Sequence, residues 1–206
     1  MTEHIRVSEI LSQFRDYSKI NPTVLAEKCE IGTETHDNIK RYNTGGFEMF
    51  EMFPLRDMHG EIKTRSDGTQ SWEERGKPYF QSYREWDKKV SPKFSIMEER
   101  YYDDNLMITG QIDALMTTDT LPVLVDFKCS ANADLEMWSM QGHYYKHLLE
   151  QNGILIADHF LFIKLLPNAK FPVVHEIKFD EKVHARCIYE AILYWEKIND
   201  AKKIAE

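Results

Sequence analysis

The sequence predicts an α/β domain whose sheet is mixed rather than doubly wound and parallel. Three observations carry this expectation. The periodicities run helix, helix, three strands, helix, two strands, helix; the first three strands are joined by turns too short for helical crossovers; and 206 residues suit one compact domain, residues 1–206, with an insertion.

Two helices are expected first, over about Ser8 to Tyr17 and Asn21 to Tyr42. In the second, Asn21 caps the first turn and Pro22 takes the first helical position, where a missing N–H costs nothing. Between about Asn43 and Trp72 the pattern breaks into Thr44-Gly45-Gly46, a Phe47/Phe50/Phe53 face at helical spacing and a turn signal at Asp67-Gly68. This stretch reads as the insertion. From Trp72 to Lys93, Trp72, Tyr79, Phe80, Tyr83 and Trp86 interleave with Arg75, Lys77, Arg84, Lys88, Lys89 and Lys93, and Ser91-Pro92 ends the run. The stretch suits either a phosphate-tracking surface or an amphipathic helix with an aromatic core side. Strands are expected over about Phe94 to Tyr102, Leu106 to Thr117 and Val123 to Lys128, split by Asp103-Asp104-Asn105 and Thr118-Asp119-Thr120, which makes a meander. A helix from about Asp134 to Gln151 stops at Asn152-Gly153, and strands over about His159 to Leu166 and Phe171 to Phe179 follow. Val183, Cys187, Ala191, Tyr194 and Ile198 then recur at helical spacing in a closing helix from Glu181.

Composition bounds the function. A hydrophobic fraction of 42% with 29% charged residues predicts a soluble globular chain with a real core. The formal net charge of −8 excludes coating of nucleic acid or anionic membrane by bulk charge and leaves room for a local basic groove. Cys29, Cys129 and Cys187 are too few and too scattered for a disulfide framework, a four-thiolate zinc site or an iron–sulfur cluster. No apolar run approaches the roughly 20 residues of a membrane span. Residues Met1 to Arg6 carry no signal or transit pattern, so a cytoplasmic protein without a membrane partner is expected. No helicase or nucleotide-binding motif occurs, so no nucleotide cofactor is expected.

The chemistry is written in the middle strands. In Thr109-Gly-Gln-Ile-Asp113-Ala and Val123-Leu-Val-Asp126-Phe-Lys128, charged groups interrupt β-rich apolar runs, where burial is costly unless they pair or bind a cation. Strand period puts Asp126 and Lys128 on one face and Val125 and Phe127 on the other. Two carboxylates and a lysine around one point suit Mg²⁺ or Mn²⁺, which prefer oxygen ligands. The acid-x-Lys tripeptide also occurs at Glu61, Asp87, Glu176, Asp180 and Asp200, so spacing alone selects nothing. Only Asp126-Phe-Lys128 follows an apolar strand, lies just downstream of a strand carrying Gly110 to Asp113 and precedes a helix with Gln141 and Tyr145.

With those motifs in order, the chain resembles the RecB-type nucleases of the PD-(D/E)XK superfamily. Gly32-x-x-x-His36, Gly110-Gln-Ile-Asp113, Asp126-Phe-Lys128 and Gln141-Gly-His-Tyr-Tyr145 match its Gly-x-x-x-His, Gly-x-x-Asp, acid-x-Lys and Gln-x-x-x-Tyr motifs, over about Gly32 to Tyr145. The resemblance implies a restriction-endonuclease-like core and metal-dependent DNA hydrolysis in recombination, repair or phage replication. The setting would be a bacterial or phage-infected cell, with single-stranded DNA or duplex ends as substrate and a recombination or replication protein as a further partner. It also implies roles. His36, Asp113, Asp126 and the Phe127 carbonyl would hold the metal, Lys128 would serve the water, and Gln141 with Tyr145 would contact substrate or brace the site. A further family acid would be Glu98 or Glu99, on opposite faces of one strand, with Glu98 favoured. Relatives with an iron–sulfur clasp carry four cysteines, which this chain cannot supply.

Overall fold

The computed structural model describes residues 4–57 and 59–205. The leader reading at Met1 to Glu3 lies outside the described residues. Among them, no helix is long and apolar enough to cross a membrane.

The elements run β1 (Ile5–Arg6), α1 (Val7–Ser12), α2 (Pro22–Asn43), β2 (Met52–Pro54), β3 (Trp72–Glu74), α3 (Gly76–Val90), β4 (Phe94–Asp103), β5 (Ile108–Met116), β6 (Val123–Lys128), α4 (Leu135–Gln151), β7 (His159–Lys164), β8 (Val173–Lys178) and α5 (Glu181–Ala205). The main sheet has six strands. β5 pairs antiparallel with β4 on one edge, and with antiparallel β6 and parallel β1 on the other; β6 pairs parallel with β7, and β7 antiparallel with β8. The sheet is mixed and flanked by helices on both faces, as the element order predicts.

Strand alternation sorts the two cores. Ile108, Ile112, Leu124, Phe160 and Phe162 pack against α1, α4 and α5 on one face, while Val125, Phe127 and Ile163 pack against α2 and α3 on the other. The caps behave as the sequence requires: the Asn21 side chain accepts from Thr23 N, and Asp134 accepts from Met137 N. Val183, Cys187, Ala191, Tyr194 and Ile198 form the core-facing stripe of α5, with Cys187 and Ala191 fully buried and the others half-buried.

Two local expectations are corrected, and one left open is decided. The first helix stops at Ser12 rather than Tyr17: Phe14 N and Arg15 N donate to the i−3 carbonyls of Leu11 and Ser12, and Asp16 Oδ1 then captures Ser18 N in an Asx turn, a local alternative to the helical ladder. The Phe47/Phe50/Phe53 stretch is not helical. Its backbone is satisfied by α2 side chains instead: Asn38 Nδ2 donates to Met49 O and Asn38 Oδ1 accepts from Met49 N, while Glu34 Oε1 accepts from Glu51 N. The segment continues into β2, the turn at Asp67-Gly68 (φ of Gly68, +81°) and β3, all outside the main sheet. The basic, aromatic stretch is helix α3, with Tyr79, Phe80, Tyr83 and Trp86 buried in the core, so those rings are not available to stack on bases.

Candidate active site

The sheet forks at the site. On the β1/β6 side of β5, Arg6 pairs with Thr109 and Val125 with Ala114, leaving Gly110 to Asp113 without a ladder partner on that edge. The Asp113 side chain spans the gap, its Oδ2 accepting from Phe127 N at 2.8 Å. Each strand thus delivers an acid to the mouth of the fork at little backbone cost, because a carboxylate replaces the missing ladder bond. Gly110 allows helix α4 to approach closely. A Cβ there would lie 2.8 Å from Tyr145 Cε1 and 2.9 Å from Leu148 Cδ1.

From α2, His36 reaches the same point. Its Nε2 donates to Phe127 O at 2.8 Å, and its Nδ1 lies 3.2 Å from Glu98 Oε1 and 3.4 Å from Asp113 Oδ1. His36, Glu98 and Asp113 offer ligand atoms that all lie within 4.8 Å of one another. Glu98 gets there through its backbone: it has φ +50° inside β4, a left-handed conformation that costs a non-glycine residue energy and is typical of functional positions. Its second oxygen, Oε2, accepts from Gln111 Nε2 at 2.6 Å, whereas neighbouring Glu99 interacts with the Tyr101 side chain.

Asp126 and Lys128 lie side by side on the α4 face of β6. Lys128 Nζ is 2.6 Å from Asp126 Oδ1 and donates to Gln141 Oε1 at 2.7 Å; Gln141 Nε2 faces Asp126 Oδ2 and Tyr145 Oη at 2.9 Å each. Asp126 is 1% exposed. The structure thus places His36, Glu98, Asp113 and the Phe127 carbonyl in one group, and Asp126, Lys128, Gln141 and Tyr145 in a second, joined through the backbone of β6. Lys128, Gln141 and Tyr145 line a cavity of about 260 Å³ with Ser8, Arg15 and Ser130. The rival Glu176-Ile-Lys178 sits on β8 with both side chains exposed and no second strand acid beside it.

Electrostatics separates the two aspartates. Burial alone would raise the pKa of Asp113, but His36 and Lys128 outweigh it and hold the carboxyl below its usual range. Asp126 is pushed up to about 7 by burial and by Asp113, with Lys128 only partly compensating. Burial works against a charged His36, yet Asp113 and Glu98 raise its pKa well above the ordinary histidine value. Carboxylates crowded around an imidazole and a backbone carbonyl form a hard, mainly oxygen donor set. That set fits a divalent cation such as Mg²⁺ or Mn²⁺.

Sequence reasoning missed Gln111 and the contributions of Ser8, Arg15 and Ser130. Gln111 carries a signal in hindsight, since it lies inside the Gly-x-x-Asp stretch two residues before Asp113. Ser8 and Arg15 precede the matched motifs and carry none.

No protein-family model matches the sequence, and no curated protein is similar to it at a significant level. Solved structures align with the chain at low identity. An alkaline exonuclease from Laribacter hongkongensis aligns at 14% identity over 60% of this chain and 66% of its own, with a TM-score of 0.40. The same exonuclease in complex with dAMP aligns at 10% identity over 98% of this chain and 91% of its own, with a TM-score of 0.47. A protein from Eubacterium rectale, provisionally described as an exonuclease, aligns at 12% identity over 98% and 82%, also with a TM-score of 0.47. In the first of these alignments the chain spans just under two thirds of the exonuclease's length.

Proposed function

We propose that this chain is a divalent-metal-dependent nuclease that hydrolyses phosphodiester bonds in DNA, on a restriction-endonuclease-like core of the RecB type. One observation carries the reading. His36 of α2, Glu98 of β4 and Asp113 of β5 bring ligand atoms within 4.8 Å of one another beside the Phe127 carbonyl, at the fork that also presents the Asp126/Lys128 pair. The order of the sequence motifs supports the same reading.

His36, Asp113, Asp126 and the Phe127 carbonyl would hold Mg²⁺ or Mn²⁺ with Glu98 beside them, and such a cation, when bound, acidifies a water and offsets charge on a phosphoryl oxygen. His36 ligates only after releasing a proton, which the nearby carboxylates otherwise retain on it. Lys128, fixed between Asp126 and Gln141, orients the attacking water and stabilises the negative charge that builds on phosphorus-bound oxygen. Gln141 and Tyr145 keep Lys128 and Asp126 in register and border the cavity where a nucleotide enters. The reading extends to exonucleolytic action on DNA ends or single strands in recombination, repair or phage replication, in the cytoplasm of a bacterium or infected host.

The test is a nuclease assay with end-labelled linear and closed circular DNA, single-stranded and duplex, and with RNA, in Mg²⁺, Mn²⁺ or EDTA. Cleavage of DNA with metal and none with EDTA is expected, as is loss of cleavage in Asp113→Ala, Asp126→Ala and Lys128→Ala proteins that keep their circular dichroism. Full activity in all three variants refutes the site assignment, and preferential cleavage of RNA refutes the substrate.

A further inference from the structure

The sheet extends past the helices that cover its α2/α3 face, and the uncovered part is not bland. Register puts Arg6 and Tyr102 opposite Thr109, and Arg100 opposite Gln111, so these side chains share one face of β1, β4 and β5. Their chain neighbours Ile5, Tyr101, Ile108 and Ile112 point into the opposite core. Together with Trp195 of α5, Arg6, Arg100, Tyr102 and Thr109 line a groove of about 490 Å³.

The groove is wired to the acid cluster. Arg100 Nη2 donates to Gln111 Oε1 at 3.0 Å, and Gln111 Nε2 donates to Glu98 Oε2, whose other oxygen meets His36. Its charges are distributed unevenly. Arg6 lies 3.8 Å from Glu9, which also borders the groove, and His4 meets Asp104 at 2.7 Å, whereas Arg100 makes no ion pair among the described residues. Tyr102 is 48% exposed, with His4 edge-on to its ring at 5.2 Å.

We propose that this groove holds the single strand that runs away from the scissile phosphate, with its phosphates on Arg100 and Arg6 and a base stacked on Tyr102. The inference rests on the nuclease reading and gives it a substrate form. Two cations at one edge of a chain of net charge −8 attract a polyanion only locally. An exposed aromatic ring beside them takes an unpaired base, since the faces of paired bases are already stacked. The aromatic rings of α3 cannot serve instead, because they are buried.

The test is fluorescence anisotropy of the full chain with a labelled single-stranded oligonucleotide in EDTA, across a salt series, with blunt duplex of equal length as comparison. Single-strand binding tighter than duplex is expected. Arg6→Gln and Arg100→Gln should each weaken binding and lower the log–log salt slope by about 0.7, the value for one phosphate contact on a single strand. Tyr102→Ala should weaken binding roughly 5- to 150-fold with the slope unchanged, as loss of one stacked base does. Lys88→Gln on α3 should bind as wild type, and unchanged thermal midpoints establish that all four variants fold. A wild type that cleaves DNA with Mn²⁺, yet whose single-strand affinity is unmoved by the three groove substitutions, overturns the groove and leaves the nuclease reading standing. Equal or tighter duplex binding also overturns the groove. A wild type that binds through these residues but never cleaves refutes the nuclease and keeps the groove, while one that neither binds nor cleaves refutes both.

Discussion

Replacing Gly110 with alanine should damage stability and activity together, through one contact. The new methyl would lie 2.8 Å from Tyr145 Cε1 and 2.9 Å from Leu148 Cδ1, against about 3.4–4 Å for ordinary contact. Neither neighbour can swing clear, because both belong to α4 and face the sheet, Tyr145 7% exposed and Leu148 fully buried. Overpacking a tight core site of this kind costs about 1–3 kcal/mol. For a chain of this length that is a fall in thermal midpoint of roughly 2–12 °C. The displaced ring also carries the hydroxyl bonded to Gln141, which holds both Lys128 and Asp126, so hydrolysis should fall more than the folded fraction does. Urea denaturation followed by tryptophan fluorescence, with DNA cleavage measured well below the midpoint, reads both effects. Gly32→Ala is the control. Its methyl meets nothing within 4 Å on helix α2, and alanine should stabilise the helix by about 0.5–1 kcal/mol. A Gly110→Ala protein with wild-type midpoint and full activity would refute the close approach of α4 and the bracing of Lys128 inferred from it.

Other consequences are independent of that contact. The raised pKa of Asp126 means that the folded, metal-free protein binds its proton more tightly than the unfolded chain, so this group lowers stability as pH rises from about 4 to about 7. Denaturation in EDTA across that range should show Asp126→Asn gaining on wild type towards high pH, and a gap constant with pH would contradict the assignment. Asp103 behaves oppositely. Burial alone would raise its pKa, but His147 Nε2 and the backbone N–H groups of Asn105 and Leu106 outweigh it and hold the carboxylate low. Its stabilisation is present above about pH 4 and is lost as pH falls through the depressed value; Asp103→Asn should therefore be less stable at neutral pH by about 1.5–3 kcal/mol and flatter in an acid titration followed by circular dichroism. Mn²⁺ at a hundred times its dissociation constant should stabilise the folded protein by about 2.7 kcal/mol, and a thermal-shift experiment should find that gain absent in Asp113→Ala.

Much of the architecture was legible because its signals are local. Val123-Leu-Val-Asp-Phe-Lys128 reads as a strand, with Asp126 and Lys128 on one face, from period two alone, and the structure places β6 over those residues. Asn21-Pro22 and Asp134 mark helix starts through caps that need only a few residues, and the stripe from Val183 to Ile198 marks α5 through period 3.6. Strand β1 was not legible, since two residues carry no periodicity and its pairing with β5 is set more than a hundred positions away. The aromatic residues of α3 pointed equally to a core and to a stacking surface, and only packing against Phe127 decides between them.

The candidate site divides in the same way. The sequence by itself determined which residue types stand in which order, from His36 through Asp113, Asp126 and Lys128 to Gln141 and Tyr145, because motif spacing and strand period are properties of short segments. Tertiary structure alone decided that Glu98 rather than Glu99 faces His36, since the choice turns on a left-handed backbone at Glu98 that strand alternation does not anticipate. It also decided that His36 meets the Phe127 carbonyl 91 residues away, and that Arg100 reaches the acids through Gln111. Those outcomes depend on how α2, β4 and β5 are registered against one another. Register is a balance of burial and pairing over the whole sheet, and it becomes definite only when every strand has its neighbour.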